Sequence, residues 1–157
     1  MLTITVPAKK STELWDEKRQ MFIYPKETKE QTLQLEHSLI SVSKWEQKWC
    51  KSFLSHADKT YEETIDYIKC MTLTQNVNSI VYENLTSENI RQINEYIDAP
   101  MTATVIPKQR SVRRKETVTS ELIYYWMIAL NIPIEFQKWH LNRLLTLIEL
   151  CDMKNQP

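Results

Sequence analysis

The sequence contains no glycine in 157 residues. At the usual frequency of about 7%, a chain of this length holds roughly eleven. The absence removes whole classes of chemistry. A Walker A loop and a dinucleotide-binding fingerprint both need glycines so that backbone can approach phosphate. The nucleophile elbow of hydrolases needs them for its strained turn. Tight hairpins and left-handed helix ends lose their default residue, so these turns are expected to use Asn or Asp, or to be longer loops. Net charge is lacking too: 20 basic and 20 acidic residues sum to zero, which weighs against non-specific binding to phosphates. Cysteine is scarce. Cys50, Cys70 and Cys151 are odd in number, widely spaced and form no C-x-x-C, the pattern of reduced thiols in a cytoplasmic protein. His37, His56 and His140 lack the spacing of a zinc site, so no metal and no cofactor are expected. No apolar run reaches the ~20 residues that span a bilayer; the longest, Leu122 to Leu130, includes two tyrosines. Met1 to Pro7 has neither the basic nor the long apolar region of a signal peptide.

What is present fits one globular domain, residues 1–157, of the α+β class. Five Trp and seven Tyr supply large areas to bury. Leu2-Thr3-Ile4-Thr5-Val6 alternates apolar and polar residues and reads as a half-buried strand ended by Pro7. Lys9 to Lys18 is polar and reads as a loop or short turn around Trp15. Met21 to Tyr24 and Thr32 to Glu36 read as two further strands, the three pairing as a small antiparallel sheet within a strand-rich part, 1–36.

Residues 38–99 read as helices. Leu39, Val42, Trp45 and Trp49 are spaced by three and four, one face of a helix that fades near Leu54. Thr60-Tyr61-Glu62-Glu63 fits a capping box, with Glu63 reaching back to the cap, and predicts a helix whose apolar face is Tyr61, Ile65, Ile68 and Met71 or Thr72. A short segment spans Val77 to Tyr82. Thr86 or Ser87 then caps a helix with Ile90, Ile93 and Ile97 inward, stopped at Asp98-Ala99-Pro100. Residues 102–118 read as a β-hairpin with a long basic tip. Thr119 or Ser120 caps a helix over Leu122 to Leu130, apolar all round and so expected to be buried on most sides. Asn131-Ile132 makes the turn. Pro133 opens a second helix to about Cys151, with Phe136, His140, Leu144 and Leu147 along its stripe. Residues 119–151 are thus a helical hairpin.

The sharpest charge feature is the hairpin tip. Lys108, Arg110, Arg113, Arg114 and Lys115 give +5 in eight residues, leaving the rest of the chain with 15 basic and 20 acidic residues, net −5. Such a tip suits a solvated loop, an acidic protein or nucleic acid; the zero net charge makes nucleic acid the least expected of these. Glu62, Glu63 and Asp66 fit the positive end of a helix dipole without catalysis. Trp139-His140-Leu141-Asn142-Arg143 is the most residue-specific stretch. Trp126, Trp139, His140 and Arg143 are the candidate partner-binding residues, since Trp and Arg dominate binding hot spots. No catalytic residues and no enzyme activity are expected.

Thr119 to Met127, Asn131-Ile132-Pro133 and Trp139 to Leu145 resemble a family of small proteins of tailed bacteriophages. So do Leu33 to Leu39, Ser43 to Glu46 and Tyr61 to Ile68. That family resembles the tail assembly chaperones. The resemblance implies a non-enzymatic protein of the host cytoplasm that binds the tape-measure protein, keeps its helices from aggregating and helps recruit the tail-tube protein. A homo-oligomer is compatible with it; membrane binding is not expected. A virion structural tail or connector protein, and a small effector that binds a host protein or nucleic acid through the basic tip, are the competing expectations.

Overall fold

The computed structural model describes residues 1–9, 14–23, 28–56, 58–107 and 116–155. They form an α+β arrangement of short strands and five α-helices. β1 (Leu2–Val6) and β4 (Gln31–Leu35) pair antiparallel, with Ile4 opposite Leu33 and Leu2 opposite Leu35. The period of two puts Ile4, Val6, Leu33 and Leu35 inside and the intervening Thr and Gln side chains out. A separate hairpin pairs β2 (Leu14–Asp16) with β3 (Met21–Ile23). The strands therefore make two sheets rather than one, and the expected loop around Trp15 contains a strand. Asp16 Oδ1 accepts the Lys18 and Arg19 amides and forms the turn.

The helices are closed by side-chain caps. Ser38 precedes α1 (Leu39–Trp49) and exchanges bonds with Ser41, each hydroxyl accepting the other's backbone N–H. α1 stops at Trp49, short of Leu54, because Cys50 turns left-handed and returns its N–H to the Glu46 carbonyl. Thr60 caps α2 (Tyr61–Met71), but Glu63 does not reach back. Instead Glu63, Tyr67, Ile68 and Met71 are buried while Tyr61 is exposed, so the inner face is rotated from the expected one. The cause is Trp45, whose indole N–H donates to the Glu63 carbonyl at 2.9 Å and seats α2 on α1. Thr86 caps α3 (Ser87–Asp98) in a box with Asn89. Asn89 also donates to the Thr5 carbonyl, so α3 lies along β1. On the other side of β4, Leu73 N–H bonds the Gln34 carbonyl and Glu36 N–H the Met71 carbonyl. A 3₁₀ segment, Ser79–Asn84, joins α2 to α3.

The hairpin expected over 102–118 does not form on its described flanks: 101–107 and 116–119 take no strand structure. Val118 shows why. Its N–H and carbonyl are bonded by Ser55 and Ser52, so it has nothing left to pair with 102–106. The five basic tip residues lie outside the described residues.

Thr119 caps α4 (Ser120–Ala129) as expected. The second arm differs. Ile134–Lys138 is a 3₁₀ turn, Trp139 is extended, and α5 (Leu141–Lys154) starts only after His140, which is its cap. Here the chain crosses the β4–α1 junction: Ser38 and His140 form an antiparallel bridge and Leu141 N–H donates to the His37 carbonyl at 2.7 Å. That tertiary bond breaks the helix that sequence periodicity runs through His140. Around this crossing the core gathers Leu33, Leu35, Leu39, Trp45, Ile123 and Leu144, all fully buried.

Candidate functional site

The four candidate partner-binding residues divide into two settings. Trp139 and Arg143 are together at the surface. The Arg143 guanidinium lies 3.9 Å from the Trp139 ring centroid, and Phe136 stacks on the same indole at 4.2 Å and 15°. The extended residue Trp139 and the first turn of α5 create this three-layer stack. It occupies Arg143, which makes no ion pair with Glu121 or Glu135. Trp126, on α4, is half-buried and joins no aromatic pair among the described residues.

His140 belongs to the interior. Its Nε2 lies 2.7 Å from the Tyr96 carbonyl, which can only accept, so Nε2 carries the proton. Nδ1 accepts the Asn142 N–H and caps α5. Both nitrogens are spent on backbone, and the ring is not a surface contact. The His37 ring stands 5.2 Å from it, edge to face. His37 Nδ1 bonds the Tyr67 hydroxyl, which also meets Ser41 Oγ at 3.0 Å, and Ser41 donates to the Ser38 carbonyl. With Ser41's proton committed, the donors run in one direction, from His37 through Tyr67 and Ser41 to the backbone. Burial, with the neighbouring His140 adding to it, pushes the His37 imidazole from 6.5 down to about 3. Burial likewise raises the Tyr67 phenol far above its ordinary value. The residue types are those of acid–base chemistry, but all four side chains are buried. The cluster ties β4, α1, α2, α3 and α5 together rather than facing a substrate.

Two further polar anchors have roles that differ from, or add to, the sequence expectations. Glu46 is buried on α1 and accepts two backbone amides, Phe53 N–H at 2.9 Å and Ser120 N–H at 2.7 Å. It thereby fixes the start of α4. Its position seven after Leu39 and four after Val42 puts it on the same face, a signal the sequence does contain. Glu63, read above as a dipole residue, is buried beside Lys51 at 3.2 Å and His56 at 3.8 Å. Burial pushes its carboxyl up, yet Lys51, with His56 and Thr60, holds it below the usual carboxylate range. Asp66 accepts from the Trp49 indole and from Lys48, both outside any catalytic geometry.

No family model, curated protein or solved structure matches the chain. Its chemistry is therefore read from its own surface. Among the described residues no cluster of His, Cys, Asp or Glu is placed to hold a metal ion, and no helix is long and apolar enough to cross a membrane. Among the described residues several aromatic and aliphatic side chains face outward. Trp15 and Phe22 form an edge-to-face pair at 5.0 Å on the β2–β3 hairpin, each 53% exposed. On α4 only Ser120, Ile123 and Met127 are buried, so the helix expected to be covered on most sides presents Tyr125 and Ile128 to solvent. Sequence missed this face because an all-round apolar helix carries no periodicity to say which side stays outside.

Proposed function

We propose that this chain is a non-enzymatic tail assembly chaperone of a tailed bacteriophage, binding the tape-measure protein, and through it the tail-tube protein, in the host cytoplasm. The observation that carries the reading is the C-terminal stretch whose residues resemble that family. The same stretch supplies the Trp139–Arg143–Phe136 stack and the outward side chains of α4. Trp and Arg at a surface are the residue types that anchor partners, and an apolar helical surface is suited to a helical one.

Co-purification with the cognate tape-measure protein tests the reading. Wild-type chain should retain it, and Trp139→Ala should lose it while keeping its circular dichroism. Normal tails after deletion of the gene would overturn the proposal. Recovery of the chain in purified particles would move it to a virion structural protein. A second reading has the charge of Lys108 to Lys115 in its favour: an effector that binds an acidic host protein or nucleic acid. Salt-sensitive binding lost in an Arg113→Ala, Arg114→Ala double variant would support that instead.

A further inference from the structure

We propose that His56 is a pH-operated latch: on taking up a proton its ring closes on the buried Glu63 carboxylate and tightens the chain between α1 and α2, and with it the lead-in to α4. The starting point is an unfilled acceptor. Glu63 is 2% exposed, and its Oε2 has no hydrogen-bond partner among the described residues. A buried oxygen without a donor is rare and costly. The other oxygen, Oε1, accepts from Lys51 Nζ at 3.2 Å. Burial pushes the carboxyl up, but Lys51, His56 and Thr60 together hold it below the usual carboxylate range. It is therefore charged near neutrality and does not fill the gap with a proton of its own.

His56 Nε2 is the donor placed to fill it. It stands 3.8 Å from Oε2, beyond hydrogen-bond distance, on a side chain 38% exposed and so open to protons from solvent. Imidazole is the side chain that gains charge between pH 8 and 5, and a charged ring makes the shorter, stronger bond to a carboxylate. The neighbouring charges come from three places. Lys59 Nζ, on the same loop, donates to the Phe53 and His56 carbonyls at 2.9 and 2.8 Å. Glu46, on α1, is spent on the Phe53 and Ser120 amides. Asp58 and Glu116, on the flanking chain, are exposed. Lys51 and Lys59 repel a charged ring; the empty Oε2 offers it a bond that neither of them takes.

The closure is passed on through backbone. His56 N–H bonds the Ser52 carbonyl, and the Ser52 and Ser55 hydroxyls hold the Val118 carbonyl and amide. Val118 leads directly into Thr119, the cap of α4. Drawing His56 onto α2 thus restrains the loop that holds the start of α4.

Amide hydrogen exchange on the full chain tests the latch. Rates are expressed as protection factors, so that only local opening is compared. From pH 8 to 5.5 the His56 and Val118 amides should gain about fivefold in protection, the scale of a charged hydrogen bond on a partly exposed ring. The sign is specific: this protection is present at low pH and lost as pH rises through the titration of the ring. The gain should vanish in Glu63→Gln and in His56→Gln, which keeps a donor but takes no proton. Glu63→Gln alters a buried site; His56→Gln changes a partly exposed one and decides the matter if the first variant does not fold. No gain in the wild type, the same gain in His56→Gln, or a gain shared by the Ile93 amide in α3 would overturn the proposal.

Discussion

Gln20, Cys50, Asn76, Met101 and Asn131 all hold φ between 50° and 58°, the region glycine enters most easily. Two are Asn, as the missing glycines lead one to expect, and none is Asp. Gln and Met have no local side-chain bond to offset the conformation, and Cys50 has only a weak one, its thiol donating to the Gln47 carbonyl at 3.9 Å; the conformation costs about 1–2 kcal/mol for an ordinary L-residue. Cys50→Gly should therefore raise stability by about 0.5–1 kcal/mol, and Met101→Gly should act in the same direction. Ala99→Gly, at φ −65°, should lower it. Urea midpoints check all three, and a loss at both left-handed sites would refute the argument. His37 gives a pH prediction. Its folded pKa of about 3 lies below the unfolded value of about 6.5. In that window the unfolded chain binds a proton that the folded chain refuses, so stability is full above the unfolded value and falls as pH drops. The slope approaches about 1.4 kcal/mol per pH unit. Urea titrations between pH 7 and 5 should show it in the wild type and a flatter dependence in His37→Gln; equal slopes would remove His37 as the cause. Glu46 is legible only in part: its place on the apolar face is visible, its two backbone partners are not. Glu46→Ala leaves two buried amides unpaired and should cost about 2–4 kcal/mol, measured as a shift in urea midpoint that Ser43→Ala does not reproduce.

At the scale of elements, caps and alternation were readable and interruptions were not. Ser38, Thr60 and Thr86 all cap where a hydroxyl precedes a periodic run, and Thr119 where one precedes an apolar run. β1 and β4 follow from a strict period of two. β2, Leu14-Trp15-Asp16, lies in a polar stretch and has no β-branched residue, so nothing local marks it as a strand. The break before α5 and the loss of the 102–118 hairpin both come from contacts made across the fold, at Leu141 with His37 and at Val118 with Ser52 and Ser55. Local sequence carries no trace of such bonds. Of the candidate site, Trp139 and Arg143 were legible by residue type alone; their stacking depends on an extended Trp139 ahead of α5, and the role of His140 as a buried cap on its bonds to Tyr96 and Asn142, none of which local sequence carries. The β2–β3 hairpin is anchored by few residues, and an isolated hairpin is marginal. Trp15→Ala should raise amide exchange throughout residues 14–23 while leaving protection in α1 unchanged; uniform protection loss would show that the hairpin is integral to the core.

Across the described molecule, β2–β3 and α4 each expose a pair of large apolar side chains, Trp15 with Phe22 and Tyr125 with Ile128, whereas the polar cluster of His37, Ser41, Tyr67 and His140 is sealed. Function that depends on side-chain recognition leaves little motif in a single sequence, because hot-spot residues need no fixed spacing. The crossing of His37 and Leu141 has a consequence for synthesis. The strand and helix that meet at His37 are translated early, yet their junction is completed by a residue more than a hundred positions later. At roughly 5–20 residues per second, the nascent chain spends several seconds with the His37 carbonyl lacking the Leu141 amide that bonds it. A chain of this topology leaves the junction at His37 unfinished until its last third has been made.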